Sequence, residues 1–244
     1  MKLSARLRAA AELVTVQTTA ADIGTDHGYI PVWLCEQDRV RTAIAMDLRE
    51  GPLQRAREHI REAGLEDRIE TRLSDGMTAL RPGEADCAVI TGMGGILVSR
   101  ILRQSPAVAA SLRELVLGPQ SDEDLVRRTL EDMSFRIDRE TMLQEDGKYY
   151  MLIHAVQTVR DDVSADARET ADDGIKLSEE EARFGPCLLR EKNPVLQEYL
   201  RGRRKTADLI LGKLNGRTGE AALRRQQIEE EKRLIEAALD RYEL

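Results

Sequence analysis

ADIGTDHGYIP, residues 21–31, is the stretch whose reading decides the fold. It closes a strand-like run, TTAADIG (18–24), passes glycines at Gly24 and Gly28, and opens a helical pattern from Tyr29 to Cys35. Glycines at a strand-to-helix turn let a ligand approach the backbone, and the helix N-terminus favours an electronegative group. The run is a poor G-x-G-x-x-G, because Asp26 stands in place of the middle glycine. A carboxylate there repels a pyrophosphate and attracts an ammonium, which counts against a dinucleotide and a nicotinamide enzyme. Taken alone, the stretch also suits a plain tight turn with a capping Asp.

Working outward, short apolar runs bounded by Gly, Asp or Pro alternate with helical patterns: TAIAMD (42–47), RIETRL (68–73), DCAVITG (86–92) and ELVLG (114–118). Such runs read as buried parallel strands in a βαβ series with helices on both faces. In GPLQRAREHIREAG (51–64), Pro52 suits the first turn and Gly64 the end; in SDEDLVRRTLEDM (121–133), Ser121 is the predicted N-cap. FRIDRETML (135–143) and KYYMLIHAVQ (148–157) flank Gln144-Glu145-Asp146-Gly147, a hairpin signal that makes the last strand antiparallel. The expected class is therefore α/β, a Rossmann-like sheet with an antiparallel last strand and a C-terminal all-α, coiled-coil-like part. By analogy of fold it is similar to class I S-adenosylmethionine-dependent methyltransferases, whose cofactor carries the ammonium that Asp26 would attract.

The last 85 residues hold 36 charged side chains, against 45 in the preceding 159, so a boundary falls near Arg160. We expect a catalytic domain over 1–159, an acidic linker over 160–178 and a helical hairpin over 179–244. Leu196, Leu200, Ala207, Ile210 and Leu214 form one apolar stripe, interrupted by Arg203; Ala221, Ile228, Ile235, Ala238 and Tyr242 form a second after the turn at 215–219. Three dispersed cysteines without a C-x-x-C pair, no signal-like N-terminus and no apolar run of about 18 residues fit a soluble cytoplasmic protein with no metal and no membrane partner. The net charge of −7 argues weakly against bulk nucleic-acid affinity, although distribution matters more than the total.

Asp47 follows the glycine turn by roughly 20 residues, where an acidic side chain can accept from two ribose hydroxyls. Asp75 and Gly76, after the third strand, can accept from an adenine amine and donate to a ring nitrogen. Taken alone, Asp47 equally suits a helix cap or a solvated surface, and Met77 suits packing. After the fourth strand, Gly92, Met93, Gly94 and Gly95 open a backbone-lined surface where the Asn/Asp-Pro-Pro-aromatic tetrad of exocyclic-amine methyltransferases is absent; a glycine-rich turn before a helix is the plainer account.

The runs ADIGTDHGYIP, SDG (74–76), ITGMGG (90–95), LGPQSDEDLVRRTL (117–130), EDGKYYMLIHA (145–155) and LSEEEARFGPCLLREKNPVLQEYL (177–200) resemble the bacterial TrmK family, which methylates N1 of adenine at position 22 of tRNA. The resemblance covers nearly the whole chain; Asp47 stands where relatives commonly carry Glu. It implies S-adenosylmethionine as donor, tRNA as partner, and a monomer or weak dimer. Asp22, Gly24, Asp26 and His27 would line the methionine end, Asp47 the ribose, Asp75 and Gly76 the adenine, with Gly92 and Met93 beside them. Met93, Gly94 and Gly95 would form the floor of the acceptor site. Asp22 or Asp26 would stabilise the charge that develops on the base, His27 would orient Asp26, and Tyr29 would stack on the base, though a turn histidine and a helix-packing tyrosine serve structure as well. Arg100 with Arg103, and Arg201, Arg203, Arg204 and Lys205, are the candidate phosphate contacts, the latter run reading equally as a solvated face with intrahelical ion pairs. Two other readings stay open, a methyltransferase for a small molecule or protein, and a non-catalytic RNA-binding scaffold.

Overall fold

The computed structural model describes residues 3–158, 176–215 and 218–243 of the 244. The acidic linker expected at 160–178 lies outside them apart from 176–178, as do residues 216 and 217 of the expected turn. The chain divides into two compact units, residues 1–175 and 176–244.

In the first unit, α1 (Ala5–Leu13) precedes β1 (Thr19–Ile23), α2 (Tyr29–Glu36), β2 (Thr42–Asp47), α3 (Glu50–Glu62) and β3 (Ile69–Leu73). Then come β4 (Cys87–Met93), α4 (Gly95–Gln104), α5 (Pro106–Ser111), β5 (Glu114–Pro119), α6 (Glu123–Asp132), β6 (Phe135–Glu145) and β7 (Lys148–Gln157). The sheet order is β3-β2-β1-β4-β5-β7-β6. The first five strands are mutually parallel, and β7 runs antiparallel to both β5 and β6. This is the Rossmann-like arrangement with an antiparallel last strand that the alternating pattern and the Asp146-Gly147 hairpin predict; the structure inserts that strand between β5 and β6. β1, β2, β4 and β5 read as near-continuous apolar runs because both faces are covered: Ile23, Met46, Ile90 and Leu117 pack on one side, and Ala45, Val89 and Val116 on the other. β3, expected as another buried run, is instead an edge strand in which Ile69 alone is buried and Leu73 is exposed.

Ser121 does not cap α6. The cap is Asp122, in the left-handed region at φ 53°, and the Ser121 hydroxyl donates instead to the Asp122 carboxylate. The Ser121 carbonyl is already engaged by Gly95 N–H at 2.8 Å, so this loop is shaped by its contact with α4 rather than by capping.

The amino end of β5 carries a buried polar cluster. Glu114 accepts from the Thr15 N–H (2.7 Å) and hydroxyl, and lies 3.2 Å from His154 Nε2 on β7. Asp138 bonds the other ring nitrogen. It can reach because β6 slips register between Ile137 and Arg139, leaving Asp138 as the extra residue of a bulge that re-aims its side chain. Burial presses the His154 pKa down, but the bonds to Asp138 and Glu114 outweigh it and hold the ring protonated above its ordinary range. Burial likewise pushes Glu114 up, and the bonds from His154 and Thr15 overcome it, leaving the carboxyl at about 2.

In the second unit, α7 (Glu179–Phe184), α8 (Pro186–Arg190), α9 (Pro194–Leu214) and α10 (Glu220–Asp240) follow one another. Ser178 and Glu181 form a reciprocal capping box that starts α7. The long helices pair antiparallel, burying Leu196, Leu200 and Ala207 against Ile228, Ile235 and Ala238. Ile210 and Leu214 of the expected stripe stay partly exposed.

His154→Leu would leave the Glu114 and Asp138 carboxylates facing each other without their cation, and should lower stability by about 3 kcal/mol or more. In the wild type the histidine contribution is complete below pH 6.5 and fades as pH rises through the raised folded value; the Glu114 contribution is complete above 4.5 and fades toward 2. Chemical denaturation across pH 5 to 9 should show the alkaline loss in the wild type and none in the variant.

Candidate active site

The carboxyl ends of the parallel strands meet the turns on either side of β1, the point where the sheet order reverses and where open α/β sheets bind ligands. A cavity of about 310 Å³ opens there. Six of the sequence-predicted or resemblance-derived residues line it: Asp22, Gly24, Asp26, His27, Tyr29 and Gly92.

Asp22 is buried at the end of β1. Burial pushes its carboxyl up to about 6; the neighbouring Thr25 hydroxyl pulls it down and the charge of Asp47 raises it further. The Thr25 hydroxyl is itself buried and meets no partner in hydrogen-bond geometry. The turn between them is set by Gly24, at φ +80°, where an added Cβ would fall 2.2 Å from the Met93 methyl. Met93 therefore lies over Gly24 and ties the β4 loop to the β1 turn, instead of lining the cavity.

Asp26 behaves differently from expectation. Its carboxylate is two-thirds exposed, 2.6 Å from Arg55 and 3.3 Å from His27 Nε2. Much of the charge expected to meet a ligand cation is thus matched by α3, and Asp22 is the carboxylate left in the cavity. His27 stacks on Tyr29 at 5.0 Å and 8°, and Tyr29 stacks in turn on His59, whose Nδ1 lies 2.8 Å from the His27 carbonyl. Tyr29 belongs to a three-ring stack while one edge remains on the cavity.

Asp47, Asp75 and Gly76 stand at the ends of β2 and β3, outside the cavity lining. Asp47 accepts the Arg49 N–H at 2.8 Å, and its charge reaches Asp22. Asp75 lies 3.8 Å from Arg100, so that arginine is already engaged. Arg103 is held by Asp132 at 2.9 Å. Exposed Leu48 and Leu73 sit at these strand ends and exposed Ile96 in the first turn of α4, an apolar set that periodicity alone does not single out.

The glycines of the β4 loop divide into two kinds. Gly92, at φ +78° with open space around it, is the extra residue where β4 slips register against β5, and it faces the cavity. Gly95 is buried, and a Cβ there would meet the carbonyl oxygens of Asp122 and Ser121 at 2.4 and 2.5 Å. Its expected place on the acceptor floor is taken up by backbone packing. Gly94 likewise abuts the Ser121 hydroxyl.

Sequence reading missed Arg6, Leu7, Thr25, Ile30, Thr91 and Gln120, which complete the wall. Thr25 and Gln120 carried a usable signal, since both follow the carboxyl end of a parallel strand. Arg6 and Leu7 carried none, because only tertiary closure brings α1 here: Glu145 accepts the Ala5 N–H at 2.6 Å and lies 3.4 Å from Arg6, whose guanidinium sits 5.2 Å above the Tyr150 ring. In the second unit, Arg203 bonds Tyr199 and Glu231, so it is a hairpin brace, whereas Arg201, Arg204 and Lys205 are exposed. No group of three or more His, Cys, Asp or Glu side chains that could hold a metal occurs among the described residues.

A Rossmann-like sheet with an inserted antiparallel strand, and a ligand cavity at its switch point built on an acidic β1 end, define the methyltransferase class. The family described as "Methyltransferase domain" matches residues 3–153, and the chain belongs to it. It is similar to the tRNA (adenine(22)-N(1))-methyltransferase of Bacillus subtilis, 34% identical over 195 residues that cover 80% of this chain and 78% of that protein. The crystal structure of the B. subtilis M1A22 tRNA methyltransferase TrmK superposes with a TM-score of 0.83 at 29% identity, covering 98% of this chain and 99% of that one. A Streptococcus pneumoniae protein solved in complex with S-adenosyl-L-methionine gives 0.81 at 29% identity, covering 98% and 100%.

Gly95→Ala should cost several times more stability than Gly92→Ala. The first forces two backbone segments apart, while the second imposes only the left-handed strain of about 1–2 kcal/mol. Thermal denaturation of the two variants checks the order.

Proposed function

We propose that the protein transfers a methyl group from S-adenosylmethionine to N1 of an adenine in tRNA, at position 22 by its similarity to the B. subtilis enzyme. The observation that carries this reading is the match to that relative across four-fifths of the chain. A cytoplasmic location follows from the same reading. The second unit exposes few large apolar side chains among its described residues, Leu209 and Leu223, which supports a monomer or a weak dimer.

The residues present fit the cofactor. The buried Thr25 hydroxyl and the neighbouring Asp22 carboxylate offer acceptor oxygens to an ammonium. We assign the ribose hydroxyls to Asp47 at the end of β2, and the adenine edge to Asp75 with the Gly76 N–H after β3. Exposed Leu48, Leu73 and Ile96 supply apolar contact for its ring faces. When bound, S-adenosylmethionine supplies a methyl group activated by its sulfonium.

Adenine N1 carries a lone pair at neutral pH, so the acceptor needs no general base; the N1–C bond forms as the S–C bond breaks, and the base becomes cationic. Positioning then carries most of the rate. Gly92, with no side chain over it, leaves room for a planar ring beside Thr91. Asp22 stabilises the cation that develops, a role Asp26 serves less well because Arg55 already opposes it. His27 positions Asp26, and Tyr29 offers an edge to the base. Watson–Crick pairing buries N1, so the base must leave its stack first. Exposed Arg201, Arg204 and Lys205 are the phosphate contacts we assign to the tail; Arg100 and Arg103 would have to exchange Asp75 and Asp132 for phosphate.

Incubation with unmodified tRNA and S-adenosylmethionine should give 1-methyladenosine by nucleoside mass spectrometry. Methylation of a small molecule or protein with tRNA left unmodified would replace this reading by the alternative acceptor. Failure to bind the methyl donor in calorimetry would leave the non-catalytic scaffold.

Because Asp22 titrates at about 6, donor affinity should rise roughly tenfold from pH 5 to pH 7. Below pH 6 binding should release a proton, and both effects should vanish in Asp22→Asn. Calorimetry in buffers of different ionisation enthalpy measures them. Reversal of Arg201, Arg204 and Lys205 to Glu should weaken tRNA binding at least tenfold and flatten its salt dependence while leaving donor affinity unchanged.

A further inference from the structure

Beside the main cavity lies a narrow slot of about 10 Å³ that shares five residues with it, Arg6, Leu7, Thr91, Gly92 and Gln120. The main cavity ends in the acidic Asp22 and Thr25, which suit the amine of a methyl donor. The slot ends in Tyr150, Met151 and Leu152, which suit an apolar ring edge. A donor held in the first region and a base lying across the mouth of the second would meet at the shared residues, beside Gly92. One uncharged amide stands at that junction. Gln120 follows β5 directly, its N–H bonds the Met93 carbonyl at 2.9 Å, and its exposed side chain has no hydrogen-bond partner in the structure. Its backbone is thus anchored to the β4 loop, while among the described residues both ends of its amide remain available.

We infer that Gln120 is the residue that selects adenine, by accepting from the exocyclic N6 amine and donating to ring N7. This rests on the reading of the protein as an adenine-N1 methyltransferase. An amide is the side chain that matches this donor–acceptor pair, and it does so with the N6 hydrogen that faces N7, leaving N1 outside the pair of bonds. The attacking lone pair is therefore left unobstructed. Guanine presents two acceptors on the same edge, O6 and N7, so one end of the amide would face a like group. Being neutral, the amide also holds the base without protonating N1, which would abolish its nucleophilicity. The wall opposite is fixed, because Glu145 and the Tyr150 ring hold Arg6 on α1 from a hairpin far along the chain. The ring plane is set by that wall, and its rotation in the plane by Gln120.

The test pairs two side-chain variants, Gln120→Ala and Gln120→Glu, with two tRNAs, one carrying adenine and the other 7-deazaadenine at the target position. Single-turnover methylation and the tRNA dissociation constant, measured with the demethylated cofactor bound, are read for each combination. The wild type should lose about tenfold in at least one readout on 7-deazaadenine. Gln120→Ala should be slower on adenine and indifferent to the N7 change. Gln120→Glu accepts from N6 but sets its second oxygen against the N7 lone pair, so it should reverse the preference and work better on 7-deazaadenine than on adenine. Unchanged melting temperatures confirm that folding is not being read. A wild type indifferent to 7-deazaadenine in both readouts, or variants that keep the wild-type preference for adenine, overturns the role of Gln120 and leaves the methyltransferase reading standing. No methylation of the adenine tRNA by the wild type overturns both.

Discussion

One carbonyl organises the site. The Met46 oxygen on β2 accepts the N–H groups of Gly24 and Thr25 together, each at 2.8 Å, and so clamps the turn after β1 onto the neighbouring strand. Two consecutive amides can converge on one acceptor only if the chain curls sharply, which requires the positive φ of Gly24. The curl buries Asp22, turns the Thr25 hydroxyl inward and brings the Met93 methyl down on the bare Gly24 backbone. Asp22, Thr25 and the β4 loop thus share one cause. The raised Asp22 pKa follows from the same packing, since a carboxyl held at the end of a buried strand sheds its water.

Rigidity is concentrated at the other end of the sheet. The Glu114–His154–Asp138 cluster joins the loop before β1 to β5, β7 and β6 at the amino end of β5, away from the carboxyl ends that bind ligand. Arg127 and Glu140, both fully buried, add a second ionic link between α6 and β6. Such pairs cost desolvation, and replacing them together with apolar groups can be neutral or favourable. Their value here is register. A strand inserted antiparallel between β5 and β6 could slide by two residues without changing which face is apolar, and a bulge aimed at one histidine forbids the slide.

Much of this was legible in the sequence. The order of elements, the antiparallel last strand and the glycine turn all depend on local chemistry: apolar period, Asp-Gly turns and glycine conformation. What stayed hidden depends on distant contact. Ser121 has the composition of an N-cap, yet its carbonyl is claimed by Gly95 and its hydroxyl by Asp122. Asp26 reads as a free carboxylate until α3 places Arg55 beside it, and Arg203 reads as part of a basic run until Glu231 arrives from the facing helix. Arg6 and Leu7 enter the wall through Glu145, far away in the chain. The pattern of errors is consistent. Charged side chains were assigned to ligands because their internal partners cannot be seen in one dimension.

That bias bears on how an acidic chain can hold an anion as large as tRNA. The net charge of −7 is an average over many internally matched pairs, and a matched pair projects little field beyond a Debye length of about 8 Å. The arginines that matter are those left over. In the second unit Arg203 is spent on Glu231, Lys232 on Asp208, and Arg233 on Glu230 and Glu179, whereas Arg201, Arg204 and Lys205 are exposed on one segment of α9. Around the cavity the same sorting leaves few cations close to the reacting base. A base becoming positively charged gains from that arrangement, because an unmatched arginine beside N1 would oppose the charge developing on the ring. Phosphate attraction and catalysis need opposite local fields, and matching the arginines at the cavity with carboxylates, Arg6 with Glu145 and Arg55 with Asp26, limits the positive field there.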